Sequence, residues 1–274
     1  MKRLHLHQLV KDRADFIESM TQKYDEELDL LQRTYDLGKE IVSSMSFEVP
    51  EPDVFKVIIC IGCIRAVCGI ESVAALTLLG NCADSVLVLR SIFDLAVNLM
   101  YIQKDYECRS RLYARYELIP MMNFLKRQHN NGLLANEEFQ KKFDQARQEL
   151  KRLDDEIHKV KPKLKLPTGN QWSGRSIKEM ADEIGLGDAY SILYWILSSV
   201  SHSSGYSSHL YMEVRPNRAL AKYYPNDEYA ARVTRTTVLY SLKVISIADE
   251  YLKLNRGGPI ETIGQRLGQL KYAP

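Results

Sequence analysis

Residues 83–103 read ADSVLVLRSIFDLAVNLMYIQ. Apolar side chains point in nearly every direction around a 3.6-residue helix here, as they do at the centre of a bundle. The spacing predicts a helix over about 83–104. Its only interior charges are Arg90 and Asp94, which are four positions apart and so share a face. An Arg or an Asp buried without a partner is costly. The pair therefore predicts a polar network inside the bundle, with Arg90 donating in a fork to Asp94.

Helical periodicity extends on both sides of this stretch. Upstream, residues 54–80 read VFKVIICIGCIRAVCGIESVAALTLLG, interrupted by Lys56, Arg65 and Glu71. No charge-free run there approaches the ~20 residues of a membrane span, so a buried helix is expected, ending at Gly80-Asn81. Residues 3–45 carry Val10, Ala14, Ile17, Thr21, Tyr24, Leu28, Leu31 and Tyr35 at alternating spacings, a heptad seam ended by Pro50 and Pro52. Downstream, a helix over about 106–130 contains Pro120, a candidate kink or break.

Phe139, Phe143, Ala146, Leu150, Leu153, Ile157 and Val160 form a strict heptad seam over 136–161. Its expected partner is the N-terminal seam, in the same chain or in a second copy. KVKPKLKLPTGN (159–170) reads as a solvated linker. Ser176 and Glu179 form a capping box that opens a short helix to Ile184. Asp188 then precedes AYSILYWILSSVSHSSGY, in which Tyr190 and Tyr194 lie on one stripe and Ser198 and His202 are four apart. The last long helix is expected over about 227–254, with Asn226 as its cap. HLYMEVR (209–215) is the one strand-like stretch, too short and isolated to predict a strand.

The fold expected is an all-α, multi-helix bundle with a projecting coiled-coil arm. The arm would comprise 1–46 together with 136–161, the latter inserted into a core over 54–255, with 256–274 as a tail. Apolar residues are 45% and charged residues 26% of 274, a globular balance. Lys+Arg at 37 against Asp+Glu at 35 leaves a net charge of +2, with no overall basic excess for nucleic acid. The opening MKRLHLHQLVKDRADF has no apolar leader core, so a cytoplasmic setting with reduced thiols is expected. Cys60-Ile-Gly-Cys63 sits among isoleucines and has no second ligand pair, so neither a disulfide nor a zinc site is expected.

P-loop, dinucleotide-binding, zincin and hydrolase-elbow motifs are all absent from the sequence, and no cofactor or metal is expected. The constellation left is Arg90, Asp94, Ser198 and His202, two polar pairs on otherwise apolar helices. Convergence would satisfy all four. The cluster then either fixes helix register or forms a site, with His202 as acid/base and Arg90 as anion binder.

Arg90-Ser-Ile-Phe-Asp94 followed by Asn98-Leu-Met-Tyr101-Ile resembles the signature helix of a bacterial all-α family of unknown function. Trp172-Ser-Gly-Arg-Ser176-Ile, Tyr190, Tyr194 and Ser198-x-x-x-His202-Ser-Ser resemble its second half, so the likeness covers roughly 80–210. The family often has Glu at the Asp94 position and Pro at the Ser203 position. It is similar in character to HEPN-like helical domains, which commonly cleave RNA without metal using an Arg and a His close in sequence. The resemblance implies a HEPN-like effector, a metal-independent ribonuclease of bacterial antiviral defence. The one short match, Arg152-x5-His158, spans six positions that turn through about 240° of helix, so its side chains diverge and it is read as chance. The alternative is a non-catalytic interaction or oligomerisation module whose polar cluster is structural; a membrane-associated protein ranks third. A homo-oligomer is expected, with RNA or a protein as partner and no membrane role.

Overall fold

The computed structural model describes residues 11, 13–46, 53–167, 171–201, 212–215, 218–221 and 227–270. Among the described residues the chain is all-α apart from one small hairpin. The helices are α1 (Ala14–Lys23), α2 (Asp25–Ser44), α3 (Val54–Leu78), α4 (Cys82–Gln103), α5 (Tyr106–Asn130), α6 (Asn136–Val160), α7 (Ile177–Glu183), α8 (Gly187–Ser201), α9 (Ala230–Leu252) and α10 (Gly257–Gln269). The hairpin pairs β1 (Met212–Arg215) antiparallel with β2 (Arg218–Ala221), Met212 opposite Ala221 and Arg215 opposite Arg218. The described part of the strand-like stretch, 212–215, is thus a strand after all, because a second segment six residues on supplies its pairing partner.

The core lies where α3, α4 and α9 meet, with α2 closing one side. Ile59, Ile70, Phe93, Ile102, Val238 and Ile245 are sealed within it, and Phe93 meets Tyr240 edge-on at 4.8 Å. Asp53 starts α3 by accepting from the amides of Phe55 at 2.8 Å and Lys56 at 3.1 Å. Gly80 at φ 73 ends it. Three glycines let helices approach closely. A Cβ on Gly38 would stand 2.7 Å from Val67, one on Gly62 2.7 Å from Leu99, and one on Gly69 2.8 Å from Ile92.

Several boundaries differ from the sequence expectation. The N-terminal helix is interrupted at Tyr24 (φ −119, ψ 30), where the Tyr24 hydroxyl donates to Asp227 at 2.9 Å and Lys23 pairs with the same carboxylate. Pro120 lies inside α5 without ending it. The α6 seam packs on α5, not on the N-terminal helix; Ala146, Leu153 and Ile157 are buried there, and Arg111–Glu156 (2.8 Å) and Arg115–Asp154 (2.6 Å) lace the two helices. The N-terminal α2 is instead built into the bundle through Leu30, Leu31, Leu37 and Ile41. The projecting arm expected from those two segments is therefore replaced by an α5–α6 hairpin. The 256–274 segment holds α10, anchored by buried Ile263 and by Arg266 on Asp29 at 2.9 Å. Asn226 lies outside the described residues.

Among the described residues two helices, α3 and α4, are long and apolar enough to cross a membrane by length and composition. Within their most apolar windows, 44% and 61% of residues are buried inside the fold. The charges that interrupt α3 thus do not bring it below the length and hydropathy of a span.

Candidate functional site

Arg90 is half-buried on the face of α4 that receives α8. One of its terminal nitrogens donates to the Tyr194 hydroxyl at 2.9 Å, and its guanidinium carbon stands 4.8 Å from that ring's centre. The Tyr194 ring stacks on Tyr190 at 4.5 Å, and Tyr190 leans on Phe93 at 6.4 Å. Burial pushes the Tyr190 hydroxyl up to about 12, with Tyr194 and the charge of Asp94 adding to the shift and Arg90 opposing it. Tyr190 is therefore a neutral hydroxyl throughout the physiological range.

Asp94, one turn along from Arg90, does not receive the expected fork. Its Oδ1 is buried and has no hydrogen-bond partner. Burial raises its carboxyl above the ordinary range, and the positive charge of Arg90 only partly offsets this. The i, i+4 spacing brings the two groups to one face, but the tyrosine on the neighbouring helix takes the guanidinium. Ser198 is half-buried on α8 one turn beyond Tyr194. His202 lies outside the described residues.

A second polar chain runs along the same helix. Asn98 donates to the Asp94 carbonyl at 2.7 Å and accepts the Trp172 indole N–H at 2.7 Å. Trp172 is wedged edge-on between Tyr101 (5.7 Å) and Tyr113 (5.3 Å). Arg109 stacks on Tyr101 at 3.7 Å and pairs with Glu183 at 2.6 Å, which also holds Arg175 at 2.6 Å. Both Arg109 and Arg175 keep the Glu183 carboxyl below its usual range. The capping box of Ser176 and Glu179 starts α7 as expected. Sequence reasoning named Asn98, Trp172 and Tyr194 but gave them no partners. Burying an indole N–H favours giving it an acceptor, and Asn98 is a neutral polar group on the apolar helix it packs against.

Arg152 and His158 are spent locally: Arg152 pairs with Glu149 and Glu156, and the His158 ring lies 2.8 Å from the Asp154 carbonyl. Cys60, Cys63, Cys82 and Cys108 are buried and Cys68 is exposed, with no disulfide among them. Burial pushes the thiols of Cys63 and Cys82 up to about 12, the opposite of a reactive thiolate. Among the described residues no group of three or more His, Cys, Asp or Glu is placed to hold a metal. A polar cavity of about 470 Å³ opens beside Phe55, Tyr106 and Arg111, and an apolar one of about 430 Å³ beside Leu28, Tyr35 and Leu78. Neither is lined by Arg90 or Asp94.

No curated protein and no solved structure matches the chain. Residues 57–219, from the first turn of α3 to β2, match the model of a family of unknown function, DUF5677. The match holds α4, Trp172, α7 and α8, the elements that carry Arg90, Asp94, Asn98 and Tyr194, and it takes in more than half of the sequence, so the chain belongs to the DUF5677 family.

Proposed function

We propose that the chain is a non-catalytic helical interaction module in which Arg90, Asp94, Ser198 and His202 serve structure rather than chemistry. The observation that carries this reading is the engagement of Arg90: its guanidinium is held by both the hydroxyl and the ring face of Tyr194. An Arg used in this way ties α4 to α8 and has fewer donors left for a phosphate. The neighbouring family-like residues are used in the same manner. Asn98 and Trp172 bond to each other, Tyr101 packs on Trp172, and Ser176 caps a helix. A cytoplasmic setting fits the buried, high-pKa thiols of Cys63 and Cys82.

The second reading is a HEPN-like, metal-independent ribonuclease of antiviral defence. It is favoured by one observation, the buried Asp94 Oδ1 that lacks a hydrogen-bond partner. A carboxyl biased toward its protonated form beside an Arg is a general-acid arrangement.

The two readings part on one pair of measurements: cleavage of single-stranded RNA and unfolding free energy, for the wild type, Arg90→Lys and His202→Ala. The structural reading predicts no cleavage above background by any of the three. It also predicts a loss of ~1–3 kcal/mol of stability for Arg90→Lys, the cost of a broken hydrogen bond to a charged group. Metal-independent cleavage by the wild type that both substitutions abolish, with stability preserved, would overturn it and establish the ribonuclease.

A further inference from the structure

We propose that one end of the bundle binds the phosphate backbone of a single-stranded nucleic acid along a row of cations set by Lys161, Lys163 and Lys165. This rests on the interaction-module reading and names its partner. The row lies in the stretch expected as a solvated linker, whose described part, 161–167, is instead seated on the fold. Leu164 and Leu166 pack against the core, while Lys161, Lys163 and Lys165 are exposed. Both ends of the segment are tied down. Lys161 pairs with Asp105 between α4 and α5. The Pro167 carbonyl accepts from Arg115 at 3.3 Å, and a Cβ on Gly174 would stand 3.7 Å from the Pro167 ring. Lys163 and Lys165 thus alternate with inward leucines at a step of about 6–7 Å, comparable to the step between successive phosphates of an extended strand.

Further cations stand beside the row. Arg109 and Arg175 share Glu183, at 2.6 Å each, and Lys104 donates to the Glu183 carbonyl. The charges of Arg109, Glu183, Arg175 and Lys161 all bear on the hydroxyl of buried Tyr101, so they lie around one point. With Lys104, Lys163 and Lys165 the cations number six against two carboxylates, Asp105 and Glu183, an excess of four where the whole chain carries +2. The α6 carboxylates Asp154 and Glu156 are held by Arg115 and Arg111, and Lys163 and Lys165 have no ion-pair partner among the described residues. A local excess of this kind attracts a polyanion even where the net charge is small. A bilayer is the poorer occupant, because the leucines between the lysines are turned into the fold and are not free to enter it. Contacts to phosphate alone carry no sequence information, so binding is strongly salt-dependent and indifferent to base order.

The test is fluorescence anisotropy of short labelled single-stranded RNAs, one of uridine only and one of mixed sequence, titrated with the full chain in EDTA. Both should bind alike at about 50 mM salt, and affinity should fall by about tenfold or more by about 200 mM. Lys163→Glu/Lys165→Glu should weaken binding by about tenfold or more, and Lys163→Ala/Lys165→Ala by less, with a shallower salt slope. Arg90→Lys should bind as the wild type does. Melting confirms that each variant is folded, and K163Q/K165Q replaces a lysine variant that is not. No binding at the lower salt overturns the proposal, including when the chain instead floats with vesicles of anionic phospholipid. Binding that both lysine variants leave intact, or that Arg90→Lys abolishes, overturns it as well. RNA that is bound through the lysines and also cut would keep this surface and overturn the non-catalytic reading of Arg90 and Asp94.

Discussion

Burial of the Asp94 carboxyl sets a pH signature that its neighbours do not cancel. Its folded pKa is raised from an ordinary value of 3.8, by burial first, with Arg90 pulling the other way. A carboxyl raised in this way contributes stability that is fully present below the unfolded value and is lost as pH rises through the folded one. The urea midpoint of the wild type should therefore fall relative to that of Asp94→Asn as pH rises above 4, because an amide does not titrate and the lowered carboxyls, Glu183 among them, act alike in both proteins. Parallel profiles for the two proteins would show that Asp94 ionises as freely in the fold as out of it. That Arg90 and Asp94 share a face was legible from their spacing alone. The choice of Tyr194 as Arg90's partner was not, because it depends on how α8 is rotated against α4, and periodicity within one helix carries no information about rotation between two.

Close approach governs the elements. Gly62 and Gly69 both face α4, but they differ in what a methyl would strike. At Gly62 the nearest atom is the terminal Cδ1 of Leu99 at 2.7 Å, which can swing aside. At Gly69 the methyl would meet both Cδ1 and Cγ1 of Ile92 at 2.8 and 2.9 Å, and a β-branched side chain on a helix has little freedom to yield. Replacing a helical glycine gains about 1 kcal/mol of propensity, and overpacking costs about 1–3 kcal/mol. Gly62→Ala should then be nearly neutral, and Gly69→Ala destabilising by about 1–2 kcal/mol. Thermal melts of the two variants decide this, and equal effects would refute the packing argument. Helix locations were readable because each apolar stripe repeats locally. The seam of α6 was readable too, but its partner was not: α5 carries the charges that meet it, Arg111 and Arg115, at positions that look like an ordinary solvated face. The helix α10 was missed because Gly257-Gly258 reads as a stop, although Ile260, Ile263, Leu267 and Leu270 beyond it carry a helical apolar spacing.

The whole molecule depends on its flanks. The matched region, 57–219, supplies α4 and most of α3, but Val238, Tyr240, Val244 and Ile245 of α9 are sealed in the same core. Glu27 of α2, itself buried, is held by Arg235 of α9 at 3.0 Å. A fragment limited to 57–219 would expose the faces of α3 and α4 that α9 and α2 cover. It should lack a cooperative melt and bind a hydrophobic dye strongly. A fragment with a sharp transition would place the folding unit within the matched region.

Arg90 ties α4 to α8 through Tyr194, and a double-mutant cycle on the full chain measures the strength of that tie. Unfolding free energies of the wild type, Arg90→Lys, Tyr194→Phe and the double variant give the coupling between the two side chains. A coupling of about 1–2 kcal/mol is expected, in the range of a hydrogen bond to a charged donor reinforced by ring contact. Additive losses, with no coupling between the two positions, would contradict it.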